Sequence, residues 1–170
     1  MTRILVWAIM LVGGAAAGLC FDNVLFTGIH ASVLFHFISL AVGISLLFVV
    51  MRISRNTGRT LAKYGRKGNL KRMETNVLVK EGAYNYMRHP MHLGLLFFPL
   101  SIAFLIGSPT FILIIAPGEI IVMLLMIKFL EEPEAIRKFG KQYIEYKEEV
   151  PSFCFKIECL KELFKDVHKS

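Results

Sequence analysis

The stretch ASVLFHFISLAVGISLLFVVM at residues 31–51 is twenty-one residues long and has no formally charged side chain. At about 1.5 Å of rise per residue, an α-helix of this length crosses a hydrocarbon core of roughly 30 Å. The whole chain has 170 residues, of which 55% are hydrophobic and only 19% are charged. This composition excludes a disordered chain, a collagen-like repeat and an ordinary soluble domain, and it predicts an integral membrane protein.

Three further apolar runs lie at about residues 4–21, 91–107 and 110–130. The turn cluster Gly107-Ser108-Pro109-Thr110 separates the last two runs and predicts a tight helical hairpin. We therefore predict an all-α integral membrane protein with four transmembrane helices. The single domain would cover residues 1–170, with cytoplasmic segments at 52–90 and 131–170.

The basic residues indicate the orientation in the membrane. Residues 52–92 hold ten bases and two acids, whereas the net charge of the whole chain is +7. Basic segments next to membrane spans remain on the cytoplasmic side, and an even number of spans returns both termini to one side. We expect a multi-pass protein with both termini cytoplasmic. Its basic segment would contact membrane lipids rather than nucleic acid.

The first span has two further interpretations. Arg3, the apolar run and Ala15-Ala16-Ala17 resemble a cleavable signal peptide. Because the sequence begins at Met1, we expect the span to be retained. Gly14 and Gly18 form a GxxxG pattern, which allows helices to approach closely. Packing within one chain is favoured over a dedicated dimer face, so no oligomer is required.

The cytoplasmic segments differ in kind. Residues 52–81 are basic and glycine-spaced, which predicts a loop with short helical pieces along the headgroups. Residues 134–149 have helical spacing of apolar side chains, and Pro151 interrupts the pattern. The final segment predicts an amphipathic helix at the membrane interface. Its apolar stripe consists of Leu160, Leu163, Phe164 and Val167.

Three cysteines, Cys20, Cys154 and Cys159, have neither the spacing of metal ligands nor that of a disulfide framework. We therefore predict no metal site and no disulfide. A reducing, cytosolic environment is expected for the tail.

The stretch YMRHPMHLG at residues 86–94 is the strongest candidate for chemistry. Pro90 suits the first turn of a helix and pushes His89 out of helical geometry. A guanidinium and two imidazoles would then lie at a helix N-terminus, which suits an anionic or strongly polar ligand. The alternative is a basic anchor that binds only lipid headgroups.

An acidic cluster, Glu131-Glu132-Pro133-Glu134, follows the last span. Acidic side chains at a solvated helix N-terminus interact favourably with the positive end of the helix dipole. A purely structural role is therefore one interpretation. However, the arms of the predicted hairpin are nearly equal in length. The basic and acidic clusters should therefore meet at one membrane face, where a zwitterionic ligand would match them.

Two groups of residues flank the hairpin in order. The first is LVKEGAY at 78–84, followed by Arg88-His89-Pro90 and Gly94. The second is Glu131-Glu132-Pro133, followed by Phe139-Gly140, Tyr143, Tyr146 and Val150-Pro151. Over residues 77–152 the chain thus resembles the membrane-embedded methyltransferases, namely the isoprenylcysteine carboxyl methyltransferases and the phospholipid N-methyltransferases.

The resemblance implies an enzyme with S-adenosyl-L-methionine as its cofactor, bound under a cytoplasmic cap. The acceptor would be lipophilic, either an isoprenylcysteine carboxylate or another membrane lipid, with phospholipid N-methylation as the second choice. The implied catalytic residues are Arg88, His92 and Glu132. The implied cofactor-binding residues are Tyr84, Arg88, His89, Pro90, Gly94, Glu131, Glu132, Tyr143 and Tyr146. The alternative is a degenerate relative, a membrane scaffold or small subunit that binds lipid without methyl transfer.

Three positions depart from this signature: His92 replaces a tyrosine, Ala135 a leucine and Ser152 an arginine. Glu119 is a separate feature, because it is an acid inside the last span. We favour the interpretation that Glu119 packs, protonated, against a neighbouring helix. The acceptor is expected to enter sideways from the bilayer, through an apolar cleft that extends towards Pro117.

Overall fold

The computed structural model describes residues 2–68 and 75–165, and within these ranges the regular elements are all helical. The predicted all-α class therefore agrees with the structure. The α-helices are α1 (Thr2–Leu25), α2 (Thr27–His30), α3 (Val33–Tyr64), α4 (Pro90–Leu96), α5 (Phe98–Ile106), α6 (Ala116–Met126), α7 (Glu132–Phe139), α8 (Lys141–Glu149) and α9 (Ile157–Phe164). A 3₁₀ turn covers Gly82–Asn85, and π-helical segments cover Phe111–Ile115 and Ile127–Glu131.

Three helical stretches are long and apolar enough to cross a membrane: Leu5–Leu25, Val33–Tyr64 and Phe111–Phe139. The fourth predicted span corresponds to a shorter apolar stretch, Pro90–Ile106. It is interrupted at Phe97, where α4 ends and α5 begins. The interruption follows from Pro99, which has no N–H to continue the hydrogen-bond ladder of α4. The protein is thus an integral membrane protein whose third apolar run is short and broken.

The helix α3 continues to Tyr64, so the predicted loop beginning at residue 52 is wrong for its first thirteen positions. The buried residues Ile53, Asn56, Thr57 and Thr60 recur at helical spacing along this extension. Two of them are threonines whose hydroxyls bond back to the helix, since Thr57 Oγ1 donates to the Ile53 carbonyl at 2.8 Å. Because three of these four residues are polar, the apolar periodicity of the sequence does not reveal the helix. The predicted position of Val167 in the final helix lies outside the described residues.

Contacts divide the chain into two units, and the first consists of Met1–Val50 and Leu96–Leu125. In this unit the small residues of α1 face the residues that start the last span. A Cβ atom built on Gly18 would lie 2.6 Å from Ser108 Oγ and 2.9 Å from Phe111 Cβ. The prediction that the GxxxG pattern packs within the chain is confirmed. Glu119 is buried, with a carboxylate oxygen 2.7 Å from the position of a Cβ on Gly14, so it packs against α1.

The predicted helical hairpin is confirmed, and its turn is fixed by one glycine conformation and two hydrogen bonds. Gly107 adopts φ +72° and ends α5 in the left-handed conformation that glycine allows. The hydroxyl of Ser108 accepts the backbone N–H of Phe111 at 3.1 Å, as a helix N-cap does. The N–H of Thr110 donates to Asp22 Oδ1 at 2.8 Å. The buried acid of α1 therefore caps the helix that follows the turn.

Two prolines lie inside the helical stretch Phe111–Phe139 without ending it. A proline lacks the N–H that would bond four residues back, and its ring clashes with that carbonyl. The π-helical segments Phe111–Ile115 and Ile127–Glu131 end two residues before Pro117 and Pro133, respectively. A π-helical turn is wider than an α-helical one, so it makes room for the carbonyl that would otherwise clash with the proline ring. The helix therefore passes both prolines.

The second unit consists of Met51–Leu95 and Met126–Ser170. The predicted helix 134–149 is wrong at Gly140, which adopts φ +57° and ψ −133° and separates α7 from α8. Only glycine adopts that conformation without strain. A side-chain periodicity of 3.6 residues persists across the break, which explains why the sequence pattern gave one helix.

The prediction that the cysteines form no disulfide is wrong for Cys154 and Cys159, which are joined by a disulfide. Their Cα atoms are 5.9 Å apart, a separation usual for a disulfide. A turn before α9 folds Cys154 back onto the first turns of that helix, and sequence spacing alone does not reveal such a turn. Cys20 remains a free, exposed cysteine.

Candidate functional site

The carboxylate of Glu132 is the centre of a buried polar network in the second unit. Its Oε1 atom accepts hydrogen bonds from Arg88, at 3.1 Å from Nε and 2.5 Å from Nη2. Its Oε2 atom accepts one from Lys147 Nζ at 2.5 Å. His89 Nε2 and Ser152 Oγ each lie 3.4 Å from Oε1. The side chains of Arg88 and Glu132 are only 7% and 8% exposed, so both charges are desolvated and neutralised by their partners.

Backbone pairing holds Arg88 in place. The N–H of Arg88 donates to the Pro151 carbonyl at 2.9 Å, and the N–H of His89 donates to the Ser152 carbonyl at 3.1 Å. The guanidinium also donates to Ser152 Oγ at 2.5 Å. The two N–H groups directly before α4 are therefore used within the protein. Ser152, where the signature usually has an arginine, is part of this network.

His89 is buried and neutral at physiological pH. Burial, with the nearby His92 and Arg88, lowers its pKa to about 4, although the hydrogen bond to Glu132 acts in the opposite direction. A carboxylate only accepts hydrogen bonds, so the neutral ring must carry its proton on Nε2, the nitrogen that faces Glu132. The ring also contacts Phe153, with centroids 6.1 Å apart.

His92 and Glu131 form the more accessible side of the cluster. His92 Nε2 lies 3.8 Å from Glu131 Oε2, and the two side chains are 26% and 31% exposed. The ring of His92 stands edge-on to that of His89, with centroids 5.6 Å apart. A buried network thus adjoins a half-exposed histidine–carboxylate pair. We refer to Arg88, His89, His92, Glu131 and Glu132 as the site cluster.

Two tyrosines of α8 have different surroundings. Tyr146 is buried, and its hydroxyl donates to the backbone carbonyl of Tyr84 and lies 3.5 Å from that of Met87. Tyr146 therefore fixes the turn that precedes Arg88. The buried hydroxyl of Tyr84 has no hydrogen-bond partner among the described residues, whereas the hydroxyl of Tyr143 interacts with Arg88. Burial raises the pKa of all three tyrosines, so their hydroxyls remain protonated.

Of the remaining predicted site residues, Pro90 is fully buried as the first residue of α4. Gly94 lies against α3, where a Cβ would come within 2.8 Å of Ile53 Cγ2. Its small size serves helix packing, and its predicted contact with the cofactor stays a prediction. The sequence interpretation missed Lys147. A usable signal was its spacing of four residues from Tyr143, which places both on one face of α8.

Two comparisons relate the chain to known proteins. The family model described as PEMT, phospholipid methyltransferase, matches residues 33–142, which is more than half of the chain. The fold is similar to the structure of the eukaryotic intramembrane Ras methyltransferase ICMT (isoprenylcysteine carboxyl methyltransferase), with a TM-score of 0.59 and 19% identity. That match covers 88% of this chain and 52% of the other, so this chain spans about half the length of that protein.

None of the curated protein sequences compared with the chain matches it. The likeness to the solved structure shows the fold alone, because the identity is low. The family match includes the site cluster from Arg88 to Glu132. The chain belongs to the phospholipid methyltransferase family, whose members are membrane methyltransferases.

Proposed function

We propose that this protein transfers a methyl group from S-adenosyl-L-methionine to a lipophilic acceptor in the membrane, an isoprenylcysteine carboxylate or another membrane lipid. The observation that carries the proposal is the site cluster. Arg88 and His89 come from one half of the signature and Glu132 from the other, and their side chains meet in one network. Family membership supports the reaction class.

The residues around the cluster suit a zwitterionic cofactor. The buried hydroxyl of Tyr84 has no partner within the described part of the chain, so a polar ligand would satisfy it. Glu131 offers a half-exposed carboxylate for a ligand's ammonium or hydroxyl groups. The cofactor, when bound, supplies a methyl group on a positively charged sulfur.

The network of Arg88 and Glu132 suggests a positioning role for both residues. The two charges neutralise each other, so neither is left for a ligand. The pair instead fixes the backbone segments that carry His92 and Glu131. Transfer of a methyl group depends on holding the two reactants in line about 3–3.5 Å apart and on excluding water. We assign Tyr84, His89, Glu131 and Tyr143 to cofactor binding.

His92 has a role that depends on the acceptor. An amine acceptor must lose a proton when its nitrogen gains a methyl group, whereas a carboxylate acceptor loses none. His92 Nε2 faces the Glu131 carboxylate, so the ring would take up that proton on Nδ1. Substitution His92→Phe should therefore slow transfer to an amine lipid much more than transfer to a carboxylate.

The experiment that tests the function has two readouts on detergent-purified protein. Calorimetry with S-adenosylhomocysteine measures cofactor binding, and incubation with methyl-labelled S-adenosylmethionine and a total lipid extract identifies the acceptor. Glu131→Gln should weaken cofactor binding, whereas Glu145→Gln on the exposed face of α8 should not. Absence of binding by the unaltered protein would refute the enzyme and favour a lipid-binding scaffold.

We also propose that the site faces the cytoplasm, as the basic segment 52–92 indicates. The disulfide between Cys154 and Cys159 tests this orientation, because disulfides persist on oxidising sides of membranes and are reduced in the cytosol. In intact cells with the substitution Cys20→Ser, a membrane-impermeant maleimide should label the partly exposed Cys154 only after the membrane is permeabilised. Labelling without permeabilisation, after gentle reduction, would reverse the topology.

A further inference from the structure

The second unit contains a cavity of about 220 Å³ that none of the five residues of the site cluster lines. Its walls come from the polar end of α3, from the turn at Gly82 and from the end of α9. The polar residues that line it and matter here are Asn56, Thr57, Thr60, Glu81 and Glu162. The proposed methyl transfer uses none of them.

The inner wall of this cavity offers hydrogen-bond acceptors. Asn56 is 3% exposed, and its amide Nδ2 donates to the Leu163 carbonyl at 3.2 Å. Its Oδ1 atom is buried and has no donor among the residues that the structure describes. Thr57 and Thr60 donate their hydroxyl protons to carbonyls of α3, so only their oxygen lone pairs remain for a ligand.

The charged residues at this cavity include two acids, Glu81 and Glu162. Glu81 is one of only two acids among the twelve charged residues of the segment 52–92. Lys165 also lines the cavity, with its Nζ 3.4 Å from Glu162 Oε2. The two acids outnumber this one base, and its side chain is 66% exposed, so its charge is screened by water. Acceptors at the inner wall and carboxylates beside them favour a ligand that is cationic and rich in N–H donors.

The size of the cavity limits the ligand further. A water molecule takes up about 30 Å³ in the liquid, so the cavity has room for roughly seven non-hydrogen atoms. Drug-sized ligands occupy about 300–1,000 Å³, and a bare metal ion would leave most of this space empty. We propose that the cavity binds a small primary ammonium group, whose N–H bonds would satisfy Asn56 Oδ1 and the oxygens of Thr57 and Thr60. A free amine and an amine headgroup of a membrane lipid share this chemistry.

The test uses the full chain in nanodiscs made only of choline lipids, which carry no primary amine. Labelled ethylammonium is the probe, and ethanol is its neutral counterpart of similar size. We expect saturable binding of ethylammonium, with ethanol weaker by about tenfold or more, as for the loss of hydrogen bonds to a charged group. Nanodiscs doped with an amine lipid distinguish the two sources. If the cavity accepts lipid headgroups, the amine lipid should compete with ethylammonium and weaken its binding. If the cavity accepts only free amines, the amine lipid should leave ethylammonium binding unchanged.

Matched variants on α9 make the result specific. Glu162→Gln removes a charge at the cavity and should weaken ethylammonium binding several-fold, whereas Glu158→Gln on the same helix should not, since Glu158 is exposed and does not line the cavity. Asn56→Leu should abolish ethylammonium binding. If that variant fails to fold, Glu81→Gln is the second test, and it should weaken ethylammonium binding as Glu162→Gln does.

Equal binding of ethanol and ethylammonium, or equal effects of the two glutamine variants on α9, would overturn the proposal. Neither readout depends on methyl transfer, so the proposed function can fail separately.

Discussion

Arg88 Nη2 and Glu132 Oε1 lie 2.5 Å apart although the two residues are separated by 44 positions in the sequence. Between them the chain passes through the membrane hairpin. The pair joins Arg88, two residues before α4, to the first residue of α7, and Lys147 on α8 also bonds to Glu132. Because these side chains are buried, the pair has structural as well as functional consequences.

Glu132→Ala is expected to destabilise the protein by about 3–5 kcal/mol, since it leaves the buried Arg88 charge without its partner. Thermal unfolding in detergent measures the change. The double variant Arg88→Met with Glu132→Leu should recover much of the stability but not the binding of S-adenosylhomocysteine. Unchanged stability in Glu132→Ala would contradict the buried pair.

Tyr146→Phe should cost about 1–3 kcal/mol, because the buried carbonyl of Tyr84 loses its donor. The matched control is Tyr86→Phe, in which the tyrosine is 39% exposed. Urea unfolding of both variants in mild detergent measures the difference. If the two variants were equally stable, the hydroxyl of Tyr146 would not hold the turn.

His89 should make the protein less stable in acid. Its pKa is 6.5 in the unfolded chain and about 4 in the folded protein, so between these values the unfolded chain binds more protons. The contribution of neutral His89 to the free energy of unfolding is complete above pH 6.5 and is lost as the pH falls towards 4. At about 1.4 kcal/mol per pKa unit, the loss amounts to about 3 kcal/mol.

His89→Gln is the matched variant for this experiment, because its amide can still donate to Glu132 but does not titrate. Unfolding midpoints measured from pH 7.5 to 4.5 should fall more steeply for the unaltered protein than for the variant. The difference between the two curves isolates His89 from the carboxylates that also titrate in this range. Parallel curves would mean that His89 is charged or solvated in the folded protein.

The features that the sequence predicted are those that short patterns encode. Apolar runs revealed the helices, and Ser108 with Gly107 revealed the hairpin turn. The meeting of Arg88 with Glu132 followed from the equal arms of that hairpin. Each of these inferences depends on spacing that hydrophobicity or turn chemistry fixes locally.

The features that the sequence did not reveal depend on partners distant in the chain. In the sequence, Asp22 is a single acid at the end of a span, with no sign of a partner. Its role as a helix cap follows only from its contact with Thr110. The extension of α3 is stabilised by a polar stripe that includes Asn56, which bonds to α9 more than a hundred residues later. The left-handed conformation of Gly140 cannot be read from a periodicity that continues through it.

Gly18→Ala is expected to destabilise the membrane-embedded first unit by about 1–3 kcal/mol, as overpacking of a tight interface does. The new methyl group would lie 2.6 Å from Ser108 Oγ, the atom that caps Phe111, and 2.9 Å from Phe111 Cβ. The control is Gly13→Ala on the same helix, where a Cβ meets nothing within 4 Å. Because alanine favours a helix by about 1 kcal/mol over glycine, the control should be neutral or slightly stabilising. Unfolding of the monomer in detergent, with its mass checked by light scattering, measures both variants. A Gly18→Ala variant that only shifted a dimer to monomers would instead assign the glycines to a contact between chains.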